Sequence, residues 1–245
     1  MVVHLIETKI CAGRRRVGVA IFAMLLTLAG VAGSFGYSGA EVLAHEPGAS
    51  HPADLKALLA RLQRHYEQTN SFSASFKETV ARVGAPPQER TGTVYYSKPG
   101  RVRFEFGEPQ PETIVSDGKL LYDYDPGLNQ VMETPLRNAI KAQAIAGFLL
   151  GVGNVGRDFE ASRPAKSAND GLIHLILTPK SGGNALAIGL EPQTLNIERL
   201  KLRDALGNVT TISFSAIKTN IAIEPSRFEF KTPAGADVVT TSNVR

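Results

Sequence analysis

Residues 151–156 read GVGNVG, a G-x-G-x-x-G spacing that in the right setting cradles a dinucleotide pyrophosphate. That chemistry needs a strand before the glycines, a long helix after them and an acidic residue about 20 positions further on. The flanks fit none of this. The preceding residues repeat at helical spacing, RDFEASRP alternates like a strand, and Pro164 with KSANDG forbids a long crossover helix. The glycines read instead as the end of an apolar helix and a hinge, since glycine is favoured just past a helix C-terminus. Metal chemistry fares no better. His51, His65 and His174 are scattered, with no H-x-x-x-H spacing. His51 and His65 read as surface residues of a first helix, and His174 as an outward residue in mid-strand. Nucleophilic catalysis lacks a G-x-S-x-G, and no base is placed beside a nucleophile. Asp117 beside Gly118 reads as a turn residue. Asp123 and Asp125 have the spacing of a carboxylate pair, but alternation puts both on one strand face before Pro126-Gly127, which reads as a solvated edge. No cofactor and no metal site is expected.

Composition limits the remaining classes. The chain has 245 residues and one cysteine, Cys11. Residues 1–44 pass from a basic lead ending in Arg14-Arg15-Arg16 to the apolar run VGVAIFAMLLTLAGVA and then to small residues. That order predicts a secretory signal peptide, cut after Ala44 or, as second choice, Ala40. The apolar run is shorter than the roughly 20 residues of a spanning helix. Cys11 precedes the run, so it is not a lipidation cysteine, and cleavage removes it. The leader holds four basic and two acidic residues, so the net charge falls from +4 to +2. A charge this small argues against a nucleic-acid partner. Residues 45–245 read as a single domain, large enough for one substantial core.

The elements follow from periodicity. From Pro52 to Asn70, Leu55, Leu58, Leu59, Leu62 and Tyr66 form one apolar helix face, with Ser50 as its cap. The period then becomes two. In FSASFKETV, Phe72, Ala74, Phe76 and Val80 alternate with polar neighbours. RTGTVYYSK places Val94 and Tyr96 on one face, and RVRFEF places Val102, Phe104 and Phe106 on one face. ETIVSDGKLLYDY gives a hairpin around Asp117-Gly118, and NQVME returns. Leu136 to Leu150 reverts to helical spacing, with an apolar stripe of Leu136, Ile140, Ala144, Ile145, Phe148 and Leu149. Strand patterns resume in RDFEASR, GLIHLILTP, ALAIGLEP, LNIERLKLRD and VTTISFSAIK. The expected fold is α+β, an incomplete antiparallel barrel of about 10–11 strands with helices over its interior.

The chemistry that survives is apolar. Phe72, Phe76, Val94, Tyr96, Val102, Phe104 and Phe106 point one way, and two helices present apolar stripes to meet them, Leu58 and Leu62 on the first and Ile140, Ile145, Phe148 and Leu149 on the second. Gly147, Gly151 and Gly153 supply a hinge for the second helix. A half-barrel under a tethered apolar helix is a lidded cavity, and such a cavity hides acyl chains at about 0.8 kcal/mol per buried methylene.

Four segments in order, SFSASFKETV (71–80), YYSKPGRVRFEF (95–106), TIVSDGKLLYDYDPGLNQV (113–131) and RFEFKTPAGADVV (227–239), resemble the periplasmic outer-membrane lipoprotein carrier family, LolA. The resemblance implies an open barrel with a helical lid, without covalent chemistry or cofactor. It implies acylated lipoproteins as cargo, an inner-membrane ABC lipoprotein-releasing complex as donor and an outer-membrane receptor as acceptor, served by a periplasmic monomer of a Gram-negative bacterium. Where the family carries a basic residue before the Pro-Gly turn to hold the lid by hydrogen bonds, this chain has Lys98. Where the family's wall often has Trp, it has Phe104 and Tyr96. The alternative is a periplasmic lipid-sensing regulator or binding protein on the same half-barrel.

Overall fold

In the computed structural model, residues 52–138 and 153–240 are described. The first element is helix α1, Pro52–Gln68. Its apolar face buries Leu58 and Leu62, with Leu55, Leu59 and Tyr66 packed partly against the same cluster. Asp54 sits in the first turn, where the positive end of the helix dipole favours a carboxylate. The helix ends where Thr69 turns its N–H and its hydroxyl back to the His65 carbonyl, at 3.0 and 2.8 Å.

The strands are β1 (Ser71–Ala81), β2 (Gln88–Ser97), β3 (Arg101–Phe106), β4 (Glu112–Asp117), β5 (Leu120–Asp125), β6 (Gln130–Pro135), β7 (Phe159–Ser162), β8 (Ile173–Pro179), β9 (Leu186–Leu190), β10 (Ile197–Arg203), β11 (Val209–Thr219) and β12 (Asp237–Thr240). They make one sheet in the order β12-β6-β5-β4-β3-β2-β1-β11-β10-β9-β8-β7. β12 and β7 are its two edges, so the barrel is open. The expectation of 10–11 strands falls short by β12, which runs parallel to β6 while every other pair is antiparallel. A short helix α2, Val155–Asp158, precedes β7 where the sequence pattern suggested strand alone.

Turn chemistry sets the hairpins. Asp117 Oδ1 accepts from the N–H groups of Lys119 and Leu120, at 2.7 and 2.9 Å, and Gly118 supplies the positive φ of 97°. The turn role expected of Asp117 holds. After β11 the chain crosses the outer face. A 3₁₀ turn, Pro225–Phe228, buries Phe228, Arg227 lies over the Tyr95 ring, and Phe230 stacks on Tyr122 with 4.9 Å between centroids. Residues 136–138 begin a helix where one is expected; the rest of that stretch, with Ile140, Ile145, Gly147, Phe148, Leu149 and Gly151, lies outside the described residues, as do residues 1–50 and His51. Among the described residues no helix is long and apolar enough to cross a membrane.

Candidate functional site: an apolar inner face

Strand register explains how separate alternating patterns become one surface. Phe72 lies opposite Tyr96, which lies opposite Val102. One step along, Ala74, Val94, Phe104 and Ile114 form a second cross-strand row, and Phe76, Gly92 and Phe106 a third. All seven wall residues named from the sequence therefore share one face. Their rings meet: Phe72 stacks on Tyr96 at 5.2 Å, and Phe76 meets Phe104 and Phe106 edge-on at 5.5 and 4.9 Å. Such pairs add about 0.5–1.5 kcal/mol beyond area burial. Gly92 makes room for Phe76, whose ring would lie 2.7 Å from a Cβ there.

Leu58 and Leu62 of α1 join the same apolar cluster. Phe76, Val94, Tyr96, Val102 and Phe106 are buried, whereas Phe72 and Phe104 remain half-buried. Burial pushes the Tyr96 phenol up to about 12, as desolvation of its anion requires. The wall is wider than the sequence reading had it. Leu175 and Leu177 of β8, Leu186, Ile188 and Leu190 of β9, and Leu200 and Ile212 belong to the cluster too. The alternation of GLIHLILTP and ALAIGLEP carried that signal.

Lys98 binds the end of α1. Its Nζ donates to the carbonyls of Tyr66 and Glu67 at 2.7 and 2.8 Å, and its ammonium completes the negative end of the helix dipole. Desolvation lowers its pKa, opposed by Glu67. On the other flank, Tyr66 Oη accepts from the Ile197 N–H at 3.1 Å, and His65 Nε2 lies 3.0 Å from Asn196 Oδ1. His65 is thus half-buried against β10 rather than a surface residue, and burial lowers its pKa. His174 does point outward, 2.8 Å from Asp170 Oδ1.

The glycine motif has no phosphate cradle at its described end. Gly153 leads into Asn154, whose Oδ1 accepts from the Arg157 N–H at 2.8 Å, while the Val155 N–H goes to Gln63 Oε1 of α1 at 2.9 Å. These donors already have partners. α2 is four residues long and runs directly into β7.

One part of the inner face is polar. Arg90 of β2 donates from Nε to Glu78 Oε2 at 2.8 Å and from Nη1 to Glu112 Oε2, and its Cζ lies 3.9 Å above the Phe106 ring. The charge of Asp123 on β5 opposes ionisation of Glu112. Asp123 is opposite Ile114 and on the same face as buried Leu121, so it points inward. This corrects the solvated edge expected for Asp123 and Asp125. Asp125 keeps a turn role, accepting from the Leu128 N–H at 3.1 Å. Desolvation raises the pKa of Glu78, Asp123 and Glu112, and takes Glu112 to about 8. The sequence did hold a sign of this cluster: position 78 falls in the inward series 72, 74, 76, 80 and is a glutamate.

The chain is similar to known proteins over most of this fold. The family model described as outer membrane lipoprotein carrier protein LolA matches residues 67–231. An outer-membrane lipoprotein carrier protein of Methylobacillus flagellatus is 34% identical over 182 residues, covering 73% of this chain and 86% of the relative. One of Dechloromonas aromatica is 32% identical over 185 residues, with the same coverage of 73% and 86%. Among solved structures, a LolA superfamily protein from Nitrosomonas europaea superposes with a TM-score of 0.43 at 14% identity, covering 71% of this chain and 97% of that one.

Proposed function

The chain belongs to the LolA family of outer membrane lipoprotein carrier proteins, and on that premise we propose that it binds the acyl chains of lipoproteins against its inner apolar face and carries them across the periplasm. The observation that carries this reading is the registered face itself. Three strands contribute aromatic and aliphatic rows under an amphipathic helix, and Phe72 and Phe104 stay half-exposed within it. A surface of this kind gains by covering methylenes, at about 0.8 kcal/mol each. Binding and release need no covalent step.

In this reading residues 1–44 are the export leader and residues 45–245 the carrier domain. The chain acts as a periplasmic monomer of a Gram-negative bacterium. It takes cargo from an inner-membrane ABC releasing complex and gives it to an outer-membrane receptor. Leu58, Leu62, Phe72, Phe76, Val94, Tyr96, Val102, Phe104 and Phe106 line the acyl site, with Ile140, Ile145, Phe148 and Leu149 as further contributors and Gly147, Gly151 and Gly153 as the hinge. Lys98 holds α1 closed over the face.

Spheroplasts loaded with a radiolabelled lipoprotein test the proposal. Added protein is expected to release the lipoprotein into the supernatant as a soluble complex. Phe104→Glu is expected to release at least tenfold less, because a carboxylate facing acyl chains loses its hydration without a partner. Equal release by the wild type and this variant, with both folded, would place the acyl site elsewhere.

A further inference from the structure

The polar patch on the inner face has an unusual charge balance. Two carboxyl groups, Glu78 from β1 and Glu112 from β4, share a single guanidinium from β2, and Glu78, Arg90 and Glu112 are only 0, 5 and 4% exposed. Fully ionised, these two carboxylates and one guanidinium would leave one uncompensated negative charge in a dry site. The charge of Asp123 on the neighbouring strand β5 further opposes ionisation of Glu112. Glu78 Oε1 is buried without a hydrogen-bond partner, an acceptor with no donor.

We infer that Glu78 and Glu112, gathered on Arg90 with Asp123 on the adjacent strand, form a proton-binding site that fastens β1 and β2 to β4 while protonated and loosens this end of the apolar face when it ionises. The other charges acting on it are few. Arg82, just beyond β1, favours ionised Glu78, and Asp125 opposes ionisation of Asp123. Among the described residues the groups paired with the cluster from neighbouring strands are neutral: Ile212 of β11 opposite Glu78, Phe106 of β3 opposite Glu112 and beneath Arg90, and Met132 of β6 opposite Asp123.

The pH dependence has a definite sign. Burial raises the carboxyl pKa values above the ordinary carboxylate range, Glu112 to about 8, so the folded protein holds protons that the unfolded chain gives up. The stabilisation is complete below that ordinary range and is lost as pH rises towards 8. His65 works the other way, since its pKa is lowered on folding. The informative quantity is therefore the difference between the wild type and a variant of the site.

The inference does not depend on what the apolar face carries, and its test needs no cargo. Urea denaturation of the purified protein from pH 5.5 to 8.5 is expected to show a steeper fall of stability with pH than Asp123→Asn or Glu112→Gln shows, by about one proton per molecule. Infrared spectroscopy of the unmodified protein covers the case in which neither variant folds. A protonated-carboxyl band is expected at pH 7 and should vanish above pH 9. Identical pH slopes in the wild type and the folded variants, or no such band at pH 7, would overturn the site.

Discussion

Lys98 shows how much a single side chain can hold. Its Nζ reaches two carbonyls at the end of α1, both within 2.8 Å, and no other basic side chain lies in the last turn except His65. A cation at the end of a helix contributes about 1 kcal/mol, up to about 2 when partly buried. Lys98→Leu is therefore expected to lower stability by about 1–2 kcal/mol in urea and to speed amide exchange at the end of α1, while Lys98→Arg restores most of the loss. Exchange in α1 that is unaltered by Lys98→Leu would contradict the tether. The position was singled out only by the family resemblance at Pro99-Gly100, and its partners were not legible, because the carbonyls it meets are 31 and 32 residues away. Asp123 was misread for a related reason. Alternation says that residues 123 and 125 share a face, yet it does not say which face is dry at that end of a curved sheet. Buried Leu121, two residues earlier, is what marks the face as inner.

At the scale of elements, alternation located β1 to β11 within a residue or two, because each of those strands has one dry face and turns with Gly, Pro or Asp at its ends. β12 escaped because its partner, β6, is over a hundred residues away and its four residues are all exposed, so no period marks them. The short helix α2 also escaped: four residues capped by Asn154 leave no amphipathic stripe. The rows that cross the strands depend on small residues as much as on large ones. A Cβ on residue 92 would come within 2.7 Å of the Phe76 ring and 2.1 Å of the Glu105 carbonyl. Gly92→Ala is thus expected to cost about 1–3 kcal/mol in chemical denaturation, the usual range for overpacking. Ala at residue 92 without measurable destabilisation would show that β2 and β3 can part there at no cost.

The whole molecule is a long open sheet whose inner face is apolar over most of its width and charged at one patch. The sequence alone could support the apolar face, since β1 to β11 each carried an alternating signature. It could not supply register, and register is what gathers Phe72, Tyr96 and Val102, or Phe76 and Phe106, into shared rows. It also could not supply the buried charges, because Glu78, Arg90 and Glu112 come from three strands and meet only through the pairing of those strands. Carrier function rests on the first of these properties, the pH response on the second. They separate cleanly in experiment, since one concerns acyl chains and the other protons.

The claim that acyl chains lie on the inner face is tested most directly by photocrosslinking. A photoreactive phenylalanine is placed at residue 104, on the inner face, or at residue 95, on the outer face of the neighbouring strand. Each protein is irradiated with a lipoprotein in acylated and unacylated form. The account predicts crosslinks from residue 104 to the acylated form alone and none from residue 95. Crosslinks from residue 95, or equal crosslinking of the unacylated protein at residue 104, would contradict it.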